Sequence, residues 1–388
     1  MNHKIRFCFL FLAFVLLKPA IVFASEQPLV IGLNADLSAA DSYTGQAIRL
    51  GAEIALDEIN AAGGVLGRPL VLELYDHRRN PARGIDNVER LASRDDVIAI
   101  LGGKHTPVIL AELETIHAWG IPYLVPWAAG TPIIDNGYTP NYVFRVSVRD
   151  ALAGPFLVEH ALDLGFQRLG LVLEQTGWGR SNEVSLTQAL EEQGLAPARV
   201  EWFNWGEQNF AATARRMLDA DVDAMIFVGN EPDGVSFVRG VLENEVTAQL
   251  PIISHWGIVG GGFTQALASD LDRVDLTFLQ TFSFYTPPLP ERAARLAEKA
   301  GPTDAPPAVA HAYDLIHILV RAIELAGTDD RAQVRDALEQ IDFHPGVMRD
   351  YAPPFTAERH DALDASDFIM ARYVDGRILP LSLSAQEP

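Results

Sequence analysis

Leu29-Val30-Ile31-Gly32-Leu33 is an unbroken apolar run, and after it Ala47, Ile48, Gly51, Ile54, Ala55 and Ile59 recur at steps of three and four residues. The run suits a strand covered on both faces, whereas the three-and-four spacing puts one apolar stripe on a helix that packs against it. That helix is predicted over 44–62, with Gly63-Gly64 placed to end it. The alternation continues and predicts strands at 70–75, 97–101 and 122–125 with helices at 81–93 and 107–118, so the first part of the chain reads βαβαβαβ. A second series starts after Phe144-Arg145-Val146: helix 150–164, strand 168–173, helix 180–193, strand 199–203, helix 209–219, strand 224–228, helix 232–245 and strand 251–254. Residues 277–281 read as a return passage, because the helices predicted at 289–300, 308–326 and 331–340 have no new sheet to cover. They are expected to pack back onto the first lobe. Late strands are expected at 343–347 and 369–374 on the side of the second lobe, giving three passages between the lobes.

The first 24 residues change the picture of where this α/β chain works. Lys4 and Arg6 precede the apolar run 7–17, and Val22-Phe23-Ala24 puts small residues at the first and third positions before Ser25. This is the pattern of a cleaved signal peptide. Lys18 and Pro19 end the run well short of the roughly 20 apolar residues that span a bilayer. Cys8 is the sole cysteine and lies inside that run, so the mature chain is expected to hold no thiol, disulfide or cysteine-ligated metal. Without the signal the chain has 27 basic and 51 acidic residues, a net charge of −24, and nucleic acid is excluded as a partner. Such acidity serves solubility and says nothing of fold. About 364 remaining residues exceed what one core usually serves, hence two lobes.

Four motifs stand in order along the first lobe: Ser42-Tyr43-Thr44-Gly45; Ala55-Leu56-Asp57-Glu58-Ile59-Asn60-Ala61-Ala62-Gly63-Gly64-Val65-Leu66-Gly67-Arg68-Pro69; Tyr75-Asp76; and Ile121-Pro122-Tyr123-Leu124-Val125-Pro126. On these the chain resembles the periplasmic type I solute-binding proteins, in particular the leucine/isoleucine/valine-binding branch that serves ABC importers, over essentially all of the mature sequence. The resemblance implies two Rossmann-like lobes joined by three hinge strands and closing on a small ligand, with no catalysis and no cofactor. The expected division is a signal peptide over 1–24, one lobe over 25–145 plus 282–341, the other over 146–281 plus 342–380, and a tail over 381–388. The resemblance also implies a monomer in the periplasm that delivers an amino acid or related carboxylate to a membrane ABC permease. A sensory subunit of a membrane signalling system would use the same fold and report its ligand by lobe closure.

Ligands of open parallel sheets sit beyond the carboxyl ends of the strands. In the first lobe those loops are 38–44, 102–107 and 126–131. Gly102-Gly103-Lys104-His105-Thr106-Pro107 joins a buried strand to a helix start, where exposed amides favour an anion. Thr106 aligns with the serine that binds the ligand carboxylate in the family, and it also suits a simple helix N-cap. His105 beside it is read as a hydrogen-bonding or packing residue. Pro126-Trp127-Ala128-Ala129-Gly130-Thr131-Pro132 resembles the second carboxylate loop with one residue inserted, which leaves open whether Ala129 or Thr131 makes the contact. Tyr43 matches a tyrosine that covers the ligand, and Trp178 takes the place of an aromatic that stacks over it, giving an apolar wall with a face attractive to cations. Near Trp256, in Ser254-His255-Trp256-Gly257, the family places an acid that pairs with the ligand ammonium; here none is present. Glu231 either supplies that charge from another loop or serves as the first acid of its helix. With no acid in the cleft, a zwitterion would bury an unpaired ammonium at a cost of several kcal/mol, so a neutral or anionic ligand, aromatic included, would be favoured.

Other chemistries lack their signatures. The histidines are scattered, with no His-Glu-x-x-His, and His311 and His317 are not aligned on one helix face. Neither a Gly-x-Ser-x-Gly elbow nor a phosphate-binding Gly-rich lysine loop is present. Gly260-Gly261-Gly262 lacks dinucleotide spacing and reads as a turn.

Overall fold

The computed structural model describes residues 27–39 and 42–384. The signal peptide and the last four residues of the tail lie outside them. Two sheets carry the architecture. The first contains β1 (Leu29–Ala35), β2 (Leu70–Asp76), β3 (Val97–Gly102), β4 (Tyr123–Val125) and β5 (Val143–Arg145), in the order β2-β1-β3-β4-β5 and all parallel. Between these strands run α1 (Tyr43–Ala61), α2 (Pro81–Ala92) and α3 (Thr106–Trp119). Every residue of β1 and β3 is buried, as the unbroken apolar runs require.

The end of α1 shows how the Asn60-to-Leu70 motif works. Gly64 has a φ of +76°, and a Cβ there would lie 2.1 Å from the Arg68 carbonyl oxygen, so only glycine turns the chain back. The Asn60 side chain then donates to the Leu70 carbonyl at 2.9 Å and accepts the Leu70 amide at 2.8 Å. The helix end is thereby tied to the first residue of β2.

The chain next passes to the second lobe, through α4 (Asp150–Asp163), β6 (Leu169–Glu174), α5 (Gly177–Glu192), β7 (Arg199–Phe203), α6 (Ala211–Asp219), β8 (Ala224–Val228), α7 (Glu231–Leu242), β9 (Ile252–Ser254), α8 (Phe263–Leu267) and β10 (Leu276–Gln280). It returns to build α9 (Pro290–Ala300), α10 (Pro306–Ala326) and α11 (Arg331–Leu338). As expected, these helices cover the first lobe: α10 lies on α1 so closely that a Cβ on Gly51 would be 2.2 Å from the Val309 carbonyl oxygen.

The expected strand at 343–347 is a correction. β11 (His344–Pro345) pairs with β12 (Asp350–Tyr351) in a separate two-stranded hairpin, not with the second lobe's sheet. The reason is Asp314 of α10, whose buried carboxylate accepts the Val347 and Met348 amides at 2.7 and 2.9 Å and the Tyr351 hydroxyl at 2.8 Å. Burial raises its pKa to about 6 even against those three donors.

The third passage runs beside the first. The Arg145 amide donates to the His360 carbonyl at 2.8 Å, and the Ala362 amide to the Arg145 carbonyl at 2.9 Å. β13 (Ile369–Val374) then joins antiparallel to β10, and β14 (Arg377–Pro380), which the sequence pattern did not mark, completes the order β14-β13-β10-β9-β8-β6-β7. The architecture is thus two α/β lobes linked by three passages. No helix among the described residues is long and apolar enough to cross a membrane.

Candidate ligand-binding cleft

The carboxyl ends of the two sheets face each other, and the loops there meet. From the first lobe, the turn after β4 projects Trp127; from the second, the turn after β9 projects Trp256. The two indoles stack with centroids 4.2 Å apart and planes 10° from parallel, both at most 2% exposed. They lie beside the second passage, where His311 contacts the Pro126 carbonyl at 2.8 Å and Thr281 Oγ1 at 3.0 Å. Burial pushes the His311 pKa down to about 4, so at neutral pH it adds no charge to this floor.

Thr106 opens α3, and His105, not Thr106, is the capping position; the His105 side chain makes no cap hydrogen bond. The Thr106 hydroxyl instead accepts the Gly130 amide at 3.2 Å, binding the two first-lobe loops together. A Cβ on Gly130 would be 2.4 Å from Thr106 Cγ2, so glycine is what permits the approach. With an acceptor site used on the loop, the Thr106 hydroxyl still has its O–H to donate.

The sequence left Ala129 and Thr131 as alternatives, and the structure engages both with the second lobe's first helix. The Ala129 carbonyl accepts the Asp150 amide at 2.9 Å; Thr131 Oγ1 accepts the Ala151 amide at 2.9 Å, and the Thr131 amide donates to Ser181 Oγ at 3.1 Å. The Ala128 carbonyl points the other way, to Arg145 Nη1 at 3.2 Å. Beside Thr131 the lobes leave a groove of about 700 Å³, with Leu110 and Pro132 on one wall and Arg149, Arg180 and Val184 on the other.

Trp178 is not a surface tryptophan. Its indole N–H donates to Asp150 Oδ1 at 3.1 Å, and His255 Nε2 lies 3.2 Å from the same oxygen. His255 Nδ1 accepts the Trp256 amide at 2.9 Å, which fixes the direction in which Trp256 leaves β9. Tyr43 is 55% exposed and lies at the rim against Gly261, whose φ is +61° and whose Cβ would be 3.1 Å from the tyrosine ring and 2.8 Å from Glu231 Oε1. The Gly260–Gly262 turn is therefore a close-fitting cover over Glu231.

Glu231 resolves the choice left by the sequence in an unanticipated way. It is the first residue of α7 and also faces the other lobe, where it forms an ion pair with Lys104, the two residues being 4% and 5% exposed. Nearby, Arg79 of the first lobe lies 4.3 Å over the Trp205 ring of the second, and His105 meets the same ring edge-on at 5.6 Å. Trp205 Nε1 donates to Glu174 Oε2 at 3.0 Å, with Asn230 adding a second donor at 3.2 Å; burial raises Glu174 to a pKa of about 7. Lys104, Trp205, Arg79, Asp150 and Glu174 also meet at this seam, and the sequence pattern did not single them out. Trp205 and Glu174 stand at the carboxyl ends of β7 and β6, and Lys104 in the glycine loop after β3, so the strand-end rule would have found all three. Among the described residues no group of three or more His, Cys, Asp or Glu is placed to hold a metal ion.

Two α/β lobes, three passages and a buried seam of facing loop ends define a two-lobed binding protein. Residues 28–376 match the family profile described as periplasmic binding protein, and the chain belongs to that family. Over 313 residues it is 25% identical to the Leu/Ile/Val-binding protein BraC3 of Rhizobium johnstonii, covering 80% of this chain and 82% of that one. Among solved structures it is similar to a periplasmic binding protein type 1 from Bordetella pertussis, with a TM-score of 0.82 and 24% identity over 91% of this chain and all of the other. A solute-binding protein of an ABC transporter from R. palustris in complex with 4-hydroxybenzoate gives a TM-score of 0.77 at 17% identity, over 92% and 95% of the two chains.

Proposed function

We propose that the protein is the solute-binding component of an ABC importer, working in the periplasm and closing its lobes on a small carboxylate-bearing solute, an amino acid or related organic acid, without catalysing any reaction. The observation that carries this reading is the Thr106–Gly130 junction: a hydroxyl with a donor to offer, at a helix start, in a loop whose His105 meets the Trp205 ring of the other lobe. Family membership supports it, as do the names of the relatives, one a Leu/Ile/Val-binding protein and another a structure holding 4-hydroxybenzoate. Thr106 and the loop 127–131 are assigned to the ligand carboxylate. Trp127 and Trp256 supply two flat apolar faces between which a planar or branched body is bound after the lobes part. His105 and Trp178 border the site, and Tyr43 closes its rim.

The test is titration calorimetry of the purified protein against amino acids and aromatic and aliphatic carboxylic acids. A saturable ligand is expected, and Thr106→Ala should weaken it by about tenfold, the scale of one hydrogen bond to a charged group. Trp256→Ala should weaken it further. A folded protein that binds nothing in the panel, or ligand affinity untouched by both substitutions, would refute the assignment.

A further inference from the structure

Glu231, the acid the sequence nominates for this cleft, is already matched by a cation from its own chain. Glu231 and Lys104 come from opposite lobes, 127 residues apart in sequence, and their side chains are 5% and 2% exposed. Lys104 lies two residues before Thr106 in the loop after β3, on the side of the seam assigned above to the ligand carboxylate. The Gly260–Gly262 turn packs against Glu231 on one side and Lys104 faces its carboxylate from the other lobe.

We propose that Lys104 is a built-in counter-ion: its ammonium fills the subsite that Glu231 forms, and the cleft therefore selects carboxylic acids lacking an α-ammonium group over the corresponding amino acids. The inference rests on the carboxylate-binding reading of the cleft. Its physical basis is that a buried carboxylate needs a partner and gains little from a second one, whereas a second ammonium brought beside Lys104 meets a like charge in a site with little water to screen it. A ligand without the ammonium leaves the pair undisturbed. Discrimination here works by repulsion of the wrong ligand as much as by attraction of the right one.

Matched pairs test it: L-phenylalanine against 3-phenylpropanoate, L-leucine against 4-methylpentanoate, and L-tyrosine against 3-(4-hydroxyphenyl)propanoate, titrated calorimetrically into the full mature chain. In the wild type the acid of a pair is expected to bind at least tenfold more tightly than the amino acid. Lys104→Met keeps the length of the side chain and removes its charge, and should shift the ratio at least tenfold toward the amino acid. Lys104→Met combined with Glu231→Gln removes both charges and should return the ratio toward that of the wild type. A wild type that prefers the amino acids, or a ratio unchanged in folded Lys104→Met, would overturn the counter-ion while leaving carboxylate binding intact. If Lys104→Met does not fold, the wild-type ratio decides alone. Binding of neither series by the folded wild type would overturn the carboxylate reading and this inference with it.

Discussion

Arg145→Leu is expected to lower the unfolding free energy by about 3–5 kcal/mol, the scale of removing one partner from a buried ion pair. Arg145 is fully buried, and its guanidinium makes contacts in two directions. Nε donates to Asp361 Oδ1 at 2.5 Å, joining the first and third passages; Nη1 donates to the carbonyls of Ala128 at 3.2 Å and Gly130 at 2.9 Å, in the loop assigned to the ligand. Leucine would strand Asp361, with only the half-buried Arg149 at 3.2 Å as a substitute, and would take the donor from the Ala128 carbonyl, leaving the Gly130 carbonyl with the Ile133 amide alone. Urea unfolding should show a lower midpoint at unchanged slope. Arg145→Leu combined with Asp361→Leu removes both charges and should recover a large part of the loss. A midpoint unaltered in the single variant would show that the pair does not hold the passages together.

The second large effect has the opposite sign. Glu112 of α3 is fully buried in the first lobe, where its carboxyl group meets Asn34 Nδ2 at 2.8 Å and the Tyr123 hydroxyl at 2.6 Å. Burial raises its pKa to about 8, and the two hydrogen bonds only partly offset the desolvation. Below the ordinary glutamate pKa of about 4.3 the group is protonated in both folded and unfolded chains and has no effect on the balance. From there to about pH 8 the unfolded chain ionises while the folded one holds its proton, so this group's contribution falls steadily as pH rises and then levels off. At 1.36 kcal/mol per unit this amounts to about 4–5 kcal/mol as an upper scale. Glu112→Gln keeps an acceptor for Asn34 and cannot ionise. It should therefore match the wild type near pH 4 and exceed it in stability by pH 8, as read from denaturant midpoints across that range. Equal pH profiles for the two proteins would show that Glu112 ionises in place.

Periodicity made the helices and strands legible because each depends on residues a few positions apart. The α1 stripe, the buried runs of β1 and β3 and the return of α9 to α11 onto the first lobe all follow from local pattern plus the need to cover apolar faces. The hairpin at 344–351 was misassigned because its position depends on Asp314, a carboxylate in a helix 33 residues away that no local pattern connects to it. The short β14 follows a tight turn and carries too few residues to show an alternation.

The cleft divides in the same way. Thr106 and Trp256 could be singled out because strand ends and helix starts are marked locally. What could not be read was pairing: Trp127 with Trp256, Arg79 with Trp205, and Lys104 with Glu231 each join loops from different lobes. A chain reading can nominate the acid in such a seam. It cannot tell whether a cation from the far side already faces it.

The stacked indoles of Trp127 and Trp256 would also make the proposed lobe closure observable without a label. Both rings are buried against each other, so parting them would expose two indoles to water and shift their ultraviolet absorption and fluorescence. The proposed opening and closing could then be timed by stopped-flow fluorescence on the unmodified protein, with Trp127→Phe and Trp256→Phe showing how much of the signal comes from this pair.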